Sequence, residues 1–284
     1  MLNRKSARRF VLVSSVALAA LSISPISSHA AGYPTRIISL SPSATEDLFA
    51  IGAGSQVIAV DQYSNYPTTA PISKLDSYSP NVEAIAAYKP DLVVLNADAT
   101  KADAVKAALK KLNIAVYFEK APSDIKGAYL EIQALGRLTG KAVEANDLVS
   151  TMQVKIQKAI HTGRKLKNVT FFHELDNTLY TATSNTFIGH VYSDFGYSNI
   201  ADAADAADSG GYPQLTSEYV LKANPKVIFL SDNEPVANVK ARAGWSNIDA
   251  VKKNKIITLP DDIPSRWGPR LVDFYQFIAA NLSK

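Results

Sequence analysis

A stretch of 16 residues, NVEAIAAYKPDLVVLN at 81–96, has a counterpart in TSEYVLKANPKVIFLS at 216–231, and this pairing constrains the fold more than any other feature of the chain. At an offset of 135, Glu83 meets Glu218, Pro90 meets Pro225 and Leu95 meets Leu230, while LVVL faces VIFL. Each copy has a small polar N-cap candidate (Asn81; Thr216 or Ser217), a Glu in the first helical turn, an amphipathic run, a Pro stop and an apolar strand. That is the helix–strand unit of an α/β sheet, written once per half.

The surrounding sequence extends both units. RIISLS (36–41) reads as a strand, Pro42 to Thr45 as a polar turn, and a helix follows from Glu46 to the Gly52–Gly54 breaker. QVIAV, the first repeated unit, a helix over 101–112 and the strand AVYF complete a parallel sheet with helices on both faces. The second half runs VTFF, a helix over 187–195 ending at Gly196, the second unit, then NIDAVKKNKIITL, which echoes LKKLNIAVYF. Gly268-Pro269 opens a closing helix with Leu271, Phe274, Tyr275, Ile278 and Leu282 at helical spacing. Between the halves the pattern is helical. Ser123 or Asp124 caps a first stretch, Gly140 breaks it, and Ala145, Leu148, Val149, Met152, Ile156, Ala159 and Ile160 form one apolar stripe. The expected organisation is a signal segment (1–30), an N-terminal α/β lobe (31–122), a helical linker (123–165) and a C-terminal α/β lobe (166–284).

The first 30 residues are set apart by Arg4, Lys5, Arg8 and Arg9 ahead of an apolar run from Phe10 to Ile23, then Ser28-His29-Ala30. This is the pattern of a cleaved export signal, and the run is short for a bilayer span. Those four are the segment's only charges, and removing them from 30 basic residues leaves 26 against 26 acidic ones. A neutral mature chain gives no support to nucleic-acid binding. There is no Cys, so disulfides, thiolate chemistry and the lipid-anchoring Cys of an exported lipoprotein are excluded for this sequence. The expectation is a periplasmic monomer.

RIISLSPSATEDLFAIG, DQYSNYP, NVEAIAAYKPDLVV, FIGHVYSDFGYSNIAD, GYPQLTSEYVLKANPKVIFL and RWGPRL together resemble one family. It is that of the substrate-binding proteins of importers for cobalamin, ferric siderophores and haem. The resemblance implies two α/β lobes joined by one long backbone helix, no catalysis and no resident cofactor. It also implies a metal-chelate cargo and an ABC permease dimer with its ATPase subunits as partner. One surface carboxylate per lobe docks such proteins onto their transporter, and Glu83 and Glu218 match those positions; helix-dipole stabilisation alone would also explain an acid there. Tyr63 and Tyr212 match positions where cobalamin binders present aromatic groups, favouring cobalamin. Haem is the alternative, with Tyr78 as axial ligand.

Strand polarity points to the same place, because ligands of open parallel sheets bind beyond the carboxyl ends of the strands. The loops there carry Tyr63, Tyr66, Tyr78, Tyr180, Tyr212 and Trp267, whose faces and polar tips suit a large flat ligand. Tyr66 beside Pro67 equally suits loop packing. Arg266 could neutralise an acidic group, whereas Arg270, in a first helical turn, reads as structural. Enzyme and metal-uptake readings find little. Of four histidines, His29 lies in the signal and His161 on the linker, leaving His173, expected at a loop edge, and His190. That is too few for a Zn or Mn site, and ADAADAAD (201–208) lacks the glycine and terminal Glu of a calcium loop.

Overall fold

The computed structural model describes residues 32–164, 168–204, 209–260 and 262–282; the expected signal segment and the second half of ADAADAAD lie outside them. The chain runs β1 (Ile37–Leu40), α1 (Pro42–Ala50), β2 (Val57–Val60), α2 (Val82–Ala87), β3 (Leu92–Asn96), α3 (Ala102–Lys111) and β4 (Ala115–Glu119). Helices α4 (Ile125–Thr139) and α5 (Ala142–Gly163) follow. The second half comprises β5 (Thr170–Glu174), α6 (Phe187–Asp194), β6 (Ser198–Asn199), α7 (Ser217–Ala223), β7 (Val227–Leu230), α8 (Val236–Ala241), α9 (Asp249–Lys252), β8 (Ile256–Thr258) and α10 (Leu271–Leu282).

Two four-stranded sheets result, ordered β2-β1-β3-β4 and β6-β5-β7-β8, with every strand pair parallel. The two orders are identical once the second is renumbered, so the duplicated sequence programme is a duplicated topology. The repeated units match in detail. Asn81 and Thr216 cap α2 and α7 by accepting from the amides of Ala84 (2.8 Å) and Tyr219 (3.1 Å). Lys89 and Asn224, equivalent residues just before the two prolines, are both left-handed, at φ 51° and 46°.

Two boundaries differ from expectation. Residues 42–45 are the first turn of α1 rather than a loop: Ser41 accepts from the Ala44 amide at 3.4 Å, and Pro42, lacking an N–H, suits the first position. Strand β5 continues through His173 and Glu174, and the two-residue β6 has no periodicity from which to foresee it.

One continuous core reaches from Ile37, Leu48 and Val94 of the first half through Leu135, Met152 and Ile156 of the helical pair to Phe171, Phe229, Phe274 and Tyr275 of the second. Separate smaller cores line the outer face of each sheet. Helix α5 spans about 33 Å at 1.5 Å per residue, and the expected stripe is its buried face. Helix α4 turns back on it within two residues, helped by Gly140 at φ 75°, and the two cross closely at Gly136. A Cβ there would lie 2.4 Å from the Ala145 Cβ and 2.9 Å from the Lys141 carbonyl oxygen.

Past β8, the chain crosses to the first half and is sutured to it by polar contacts. Asp262 accepts from the Asn65 amide, Trp267 donates from its indole to Glu119 at 2.5 Å, and Arg270 grips the buried Glu46 with two N–H groups, one at 2.9 Å. Arg266 adds a longer ion pair to Glu46 at 3.7 Å. Gly268 permits the approach, since a Cβ would stand 3.1 Å from Asp47 Oδ1. Asp47 itself is fully buried, and neither carboxyl oxygen has a partner among the described residues. Burial, reinforced by Glu119, Glu131 and Glu46, pushes its pKa well up. Burial also raises Glu119, against the pull of the Ser41 and Trp267 hydrogen bonds, and lifts Glu131 to about 7 with Glu119 adding to the effect.

Two outcomes follow from this packing. Gly→Ala normally stabilises a helix interior, but Gly136→Ala is expected to lower stability by about 1–3 kcal/mol in denaturant unfolding because it overpacks the α4–α5 crossing; a gain would refute the close contact. Glu131 has a raised folded-state pKa, so its favourable contribution is complete below its ordinary value of 4.5 and is lost as pH rises through about 7. Melting temperature measured from pH 4.5 to 8 should therefore fall less steeply in Glu131→Gln than in the parent; equal slopes would remove Glu131 as a source.

Candidate functional site

The loops leaving the carboxyl ends of both sheets enclose a cleft of about 690 Å³. Asn65 lines it from the first half; Leu175, Phe187, Ile188, Tyr212, Ser231 and Asn233 line it from the second. The crossing segment closes it with Asp262, Pro264, Ser265 and Trp267. No Lys, Arg or His is among these described lining residues, and the one acid, Asp262, is engaged by Asn65 and by Arg266 at 3.7 Å. The wall is apolar and aromatic, studded with amides and hydroxyls. Such a surface suits a ligand with a flat body and a polar periphery.

Local chemistry explains how the expected residues are presented. Asp61-Gln62-Tyr63 and Asp76-Ser77-Tyr78 use the same device: the Asp side chain accepts from the backbone N–H of the Tyr, at 2.7 Å and 2.8 Å, and so bends the loop. Asp61 is itself buried, with its pKa raised by desolvation. The two rings meet edge to face, 5.4 Å between centroids, and remain 42% and 63% exposed. They form a pair on the first half, outside the cleft's described lining.

Tyr212 and Trp267 do line the cleft. Burial pushes the Tyr212 phenol pKa up, keeping it a neutral hydrogen-bonding group. Trp267 is half-buried, edge-on to Phe187 at 6.4 Å and anchored by Glu119 and by Ser43, which accepts from its backbone N–H at 3.3 Å. Arg266 lies 3.7 Å from both Glu46 and Asp262 and donates to Ser265 and the Tyr63 carbonyl, so two carboxylates already face its charge, although its buried Nε has no hydrogen-bond partner among the described residues. Arg270 is bound to Glu46, with Tyr66 stacked 4.5 Å beneath its guanidinium, so both belong to the suture. Tyr180 is 43% exposed and bridges by its backbone to Gln214. Glu83 and Glu218 are exposed in the first turns of α2 and α7.

His173 corrects the loop-edge expectation. It lies on β5, fully buried, with Nδ1 2.9 Å from the Tyr192 hydroxyl and Nε2 3.0 Å from the Ser231 hydroxyl. Desolvation depresses its pKa to about 3. The next residue, Glu174, is buried too and takes two hydrogen bonds from Arg242, at 2.7 Å and 2.6 Å. The first half of ADAADAAD is a 3₁₀ turn whose Asp202 accepts from the Ser184 backbone N–H and hydroxyl, both at 2.8 Å. Sequence reasoning missed Leu175, Ser231 and Asn233, which follow the carboxyl ends of β5 and β7 and were within reach of the strand-polarity rule, and Phe187 and Ile188, which open α6.

The chain matches the family model described as periplasmic binding protein over residues 37–263. It is 31% identical to an uncharacterised ABC-transporter substrate-binding lipoprotein, YvrC, of Bacillus subtilis, over 88% of this chain and 80% of that one. It is also 31% identical to a cobalamin-binding protein of Halobacterium salinarum, over 84% of this chain and 67% of that one. Among solved structures, the periplasmic vitamin B12-binding protein BtuF of Vibrio cholerae superposes with a TM-score of 0.73 at 26% identity, over 88% of this chain and 96% of that one. Two parallel four-stranded sheets in duplicate order, sutured across a cleft at their carboxyl edges and matched from β1 to the crossing segment, place this chain in the periplasmic binding protein family.

Proposed function

We propose that this protein is the solute-binding component of an ABC importer, that it carries a corrinoid of the cobalamin type, and that it delivers its cargo to a permease dimer driven by ATPase subunits. The observation that carries the ligand reading is a described lining without a cation, whose one acid, Asp262, is engaged by Asn65 and Arg266. Haem propionates, and the acidic groups of many ferric chelates, would draw a Lys, Arg or His into the wall, and Arg266, the nearest expected cation, is committed to Glu46 and Asp262. Asn65, Ser231, Asn233 and Ser265 instead suit an amide-fringed macrocycle lying against Trp267 and Tyr212. The name of the Halobacterium relative supports the same ligand, and that of the Bacillus relative supports the importer role. It is a non-catalytic role for an exported, periplasmic monomer.

Haem stands as the alternative because phenols can ligate ferric iron, with Tyr78 as the first candidate. Its ring is 63% exposed, packs edge to face on Tyr63 and is not among the described lining residues of the cleft. A visible spectrum of protein purified from its own periplasm decides between the two, since a corrinoid and a tyrosinate-bound haem absorb differently.

The chain has two tryptophans, Trp267 at the cleft and Trp245 fully buried in the second half's outer core, its indole donating to Ser217 at 2.7 Å. Titration with cyanocobalamin should quench emission in the parent and in Trp245→Phe, while Trp267→Phe loses most of the quenching. Tyr212→Ala should weaken binding by about 1–3 kcal/mol in calorimetry, and Tyr63→Ala by less. Undiminished quenching and affinity in all four variants would place the ligand elsewhere. If Glu83 and Glu218 orient the protein on its transporter, replacing both with Lys should abolish uptake by whole cells yet leave cyanocobalamin affinity within a few fold. Parallel loss of both would assign the carboxylates to the pocket or the fold.

A further inference from the structure

His173 is in none of the expected ligand sets, yet it connects the middle of the second half's core to the wall of the cleft. Its Nδ1 meets Tyr192, wholly buried among Phe171, Phe229 and Phe274, and its Nε2 meets Ser231, which lines the cleft. The direction of these two bonds has a chemical consequence, because a neutral imidazole carries one N–H and one bare nitrogen.

Burial settles the charge and then the tautomer. With its pKa depressed to about 3 by desolvation, the ring is neutral across the physiological range. The Tyr192 phenol, its pKa driven up by burial, keeps its proton. Its one partner among the described residues is His173 Nδ1. Were Nδ1 to carry the imidazole proton, the phenol would have to accept, and its own hydrogen would be buried without an acceptor, which native interiors avoid. The phenol therefore donates to Nδ1. The imidazole proton is left on Nε2, which points at Ser231 Oγ and donates to it. With that lone pair occupied by an incoming proton, the Ser231 hydrogen is free to turn toward the cleft.

We propose that Tyr192 and His173 keep the Ser231 hydrogen available to the ligand, so that this wall of the cleft offers a hydrogen-bond donor to an acceptor oxygen, such as the carbonyl of a peripheral amide. His173 is on this view a positioning residue. The acceptor half of the proposal rests on the corrinoid reading above; the direction of the relay does not.

The relay is read directly by nitrogen-15 NMR of protein labelled at histidine, without any ligand. One histidine should stay neutral from pH 5 to 8 with a protonated Nε2 and a bare Nδ1, and it should be absent from the His173→Gln spectrum. A protonated Nδ1 at this residue would overturn the proposal. Because Tyr192 is deep in the core, Tyr192→Phe serves only if its unfolding midpoint is close to the parent's; in it Nδ1 loses its hydrogen-bond donor, so the Nδ1 resonance should move toward that of an unbonded bare nitrogen while Nε2 stays protonated. Ser231→Ala, at the cleft surface, should bind cyanocobalamin about 5- to 20-fold more weakly, whereas Ser231→Thr, which keeps the hydroxyl, should retain more of the affinity. Equal affinity in Ser231→Ala and parent would overturn the donor role. Failure of the parent itself to bind cyanocobalamin would sink the corrinoid reading and the amide acceptor with it, while the NMR result would still decide the relay.

Discussion

Burial of the α5 stripe is the interaction on which the other features depend. Neither sheet covers its own inner face. Val94 and Ile37 on one side, and Phe171 and Phe229 on the other, are buried in one core with residues of α1, the α4–α5 pair, α6 and α10. The two halves therefore share a core, unlike two domains on a string, and burial of that shared apolar area favours one relative placement of the sheets. The cleft inherits its width from this placement. The polar suture at residues 262–270 then adds direction: hydrogen bonds and the Glu46–Arg270 pair are satisfied in one register only, whereas apolar packing tolerates small slides.

The suture is costly as well as specific. Asp47 and Glu119 are buried where a carboxylate is disfavoured, and Asp47 has no hydrogen-bond partner among the described residues. Replacing a buried ionic cluster with apolar groups often leaves a protein as stable or more so, which makes such clusters poor evidence for stability and better evidence for a particular arrangement. Here the arrangement is the seat of Trp267, whose indole is held by Glu119 and whose backbone is held by Ser43, so that the ring stands against Phe187 in the cleft.

Much of this was legible in the sequence because it is written in patterns of short range. The helix–Pro–strand units, the Asp124 cap, the Gly140 stop and the stripe from Ala145 to Ile160 are decided by nearest neighbours along the chain, and they stand where periodicity and capping put them. Beyond that range legibility falls away. The start of α1 was misread because Pro42 and Ser43 look like a turn until Ser41 is seen to cap them. Strand β6 is two residues held by β5, with no pattern of its own. In the site, Tyr212 and Trp267 were within reach of the rule that ligands sit beyond strand ends, and Ser231 and Asn233 would have been. The commitment of Arg266 and Arg270 was not, since their partner Glu46 is more than 200 positions away. Nor was the burial of His173, since a His at the end of an apolar run looks the same whether the strand stops before it or continues.

That last residue changes how clefts of this kind should be compared. The lining atoms define a shape and a set of polar elements, but a hydroxyl has no fixed sign: it gives or takes a hydrogen bond according to what stands behind it. At Ser231, on the relay proposed above, the freedom of the hydroxyl hydrogen is decided two side chains deep, by a phenol with no surface at all. Two proteins with identical walls could then prefer opposite ligand chemistries, one reading oxygens and the other N–H groups, through a single exchange in the core that sets a hydrogen-bond acceptor where the phenol donates. Selectivity of this sort leaves no mark on the surface that displays it.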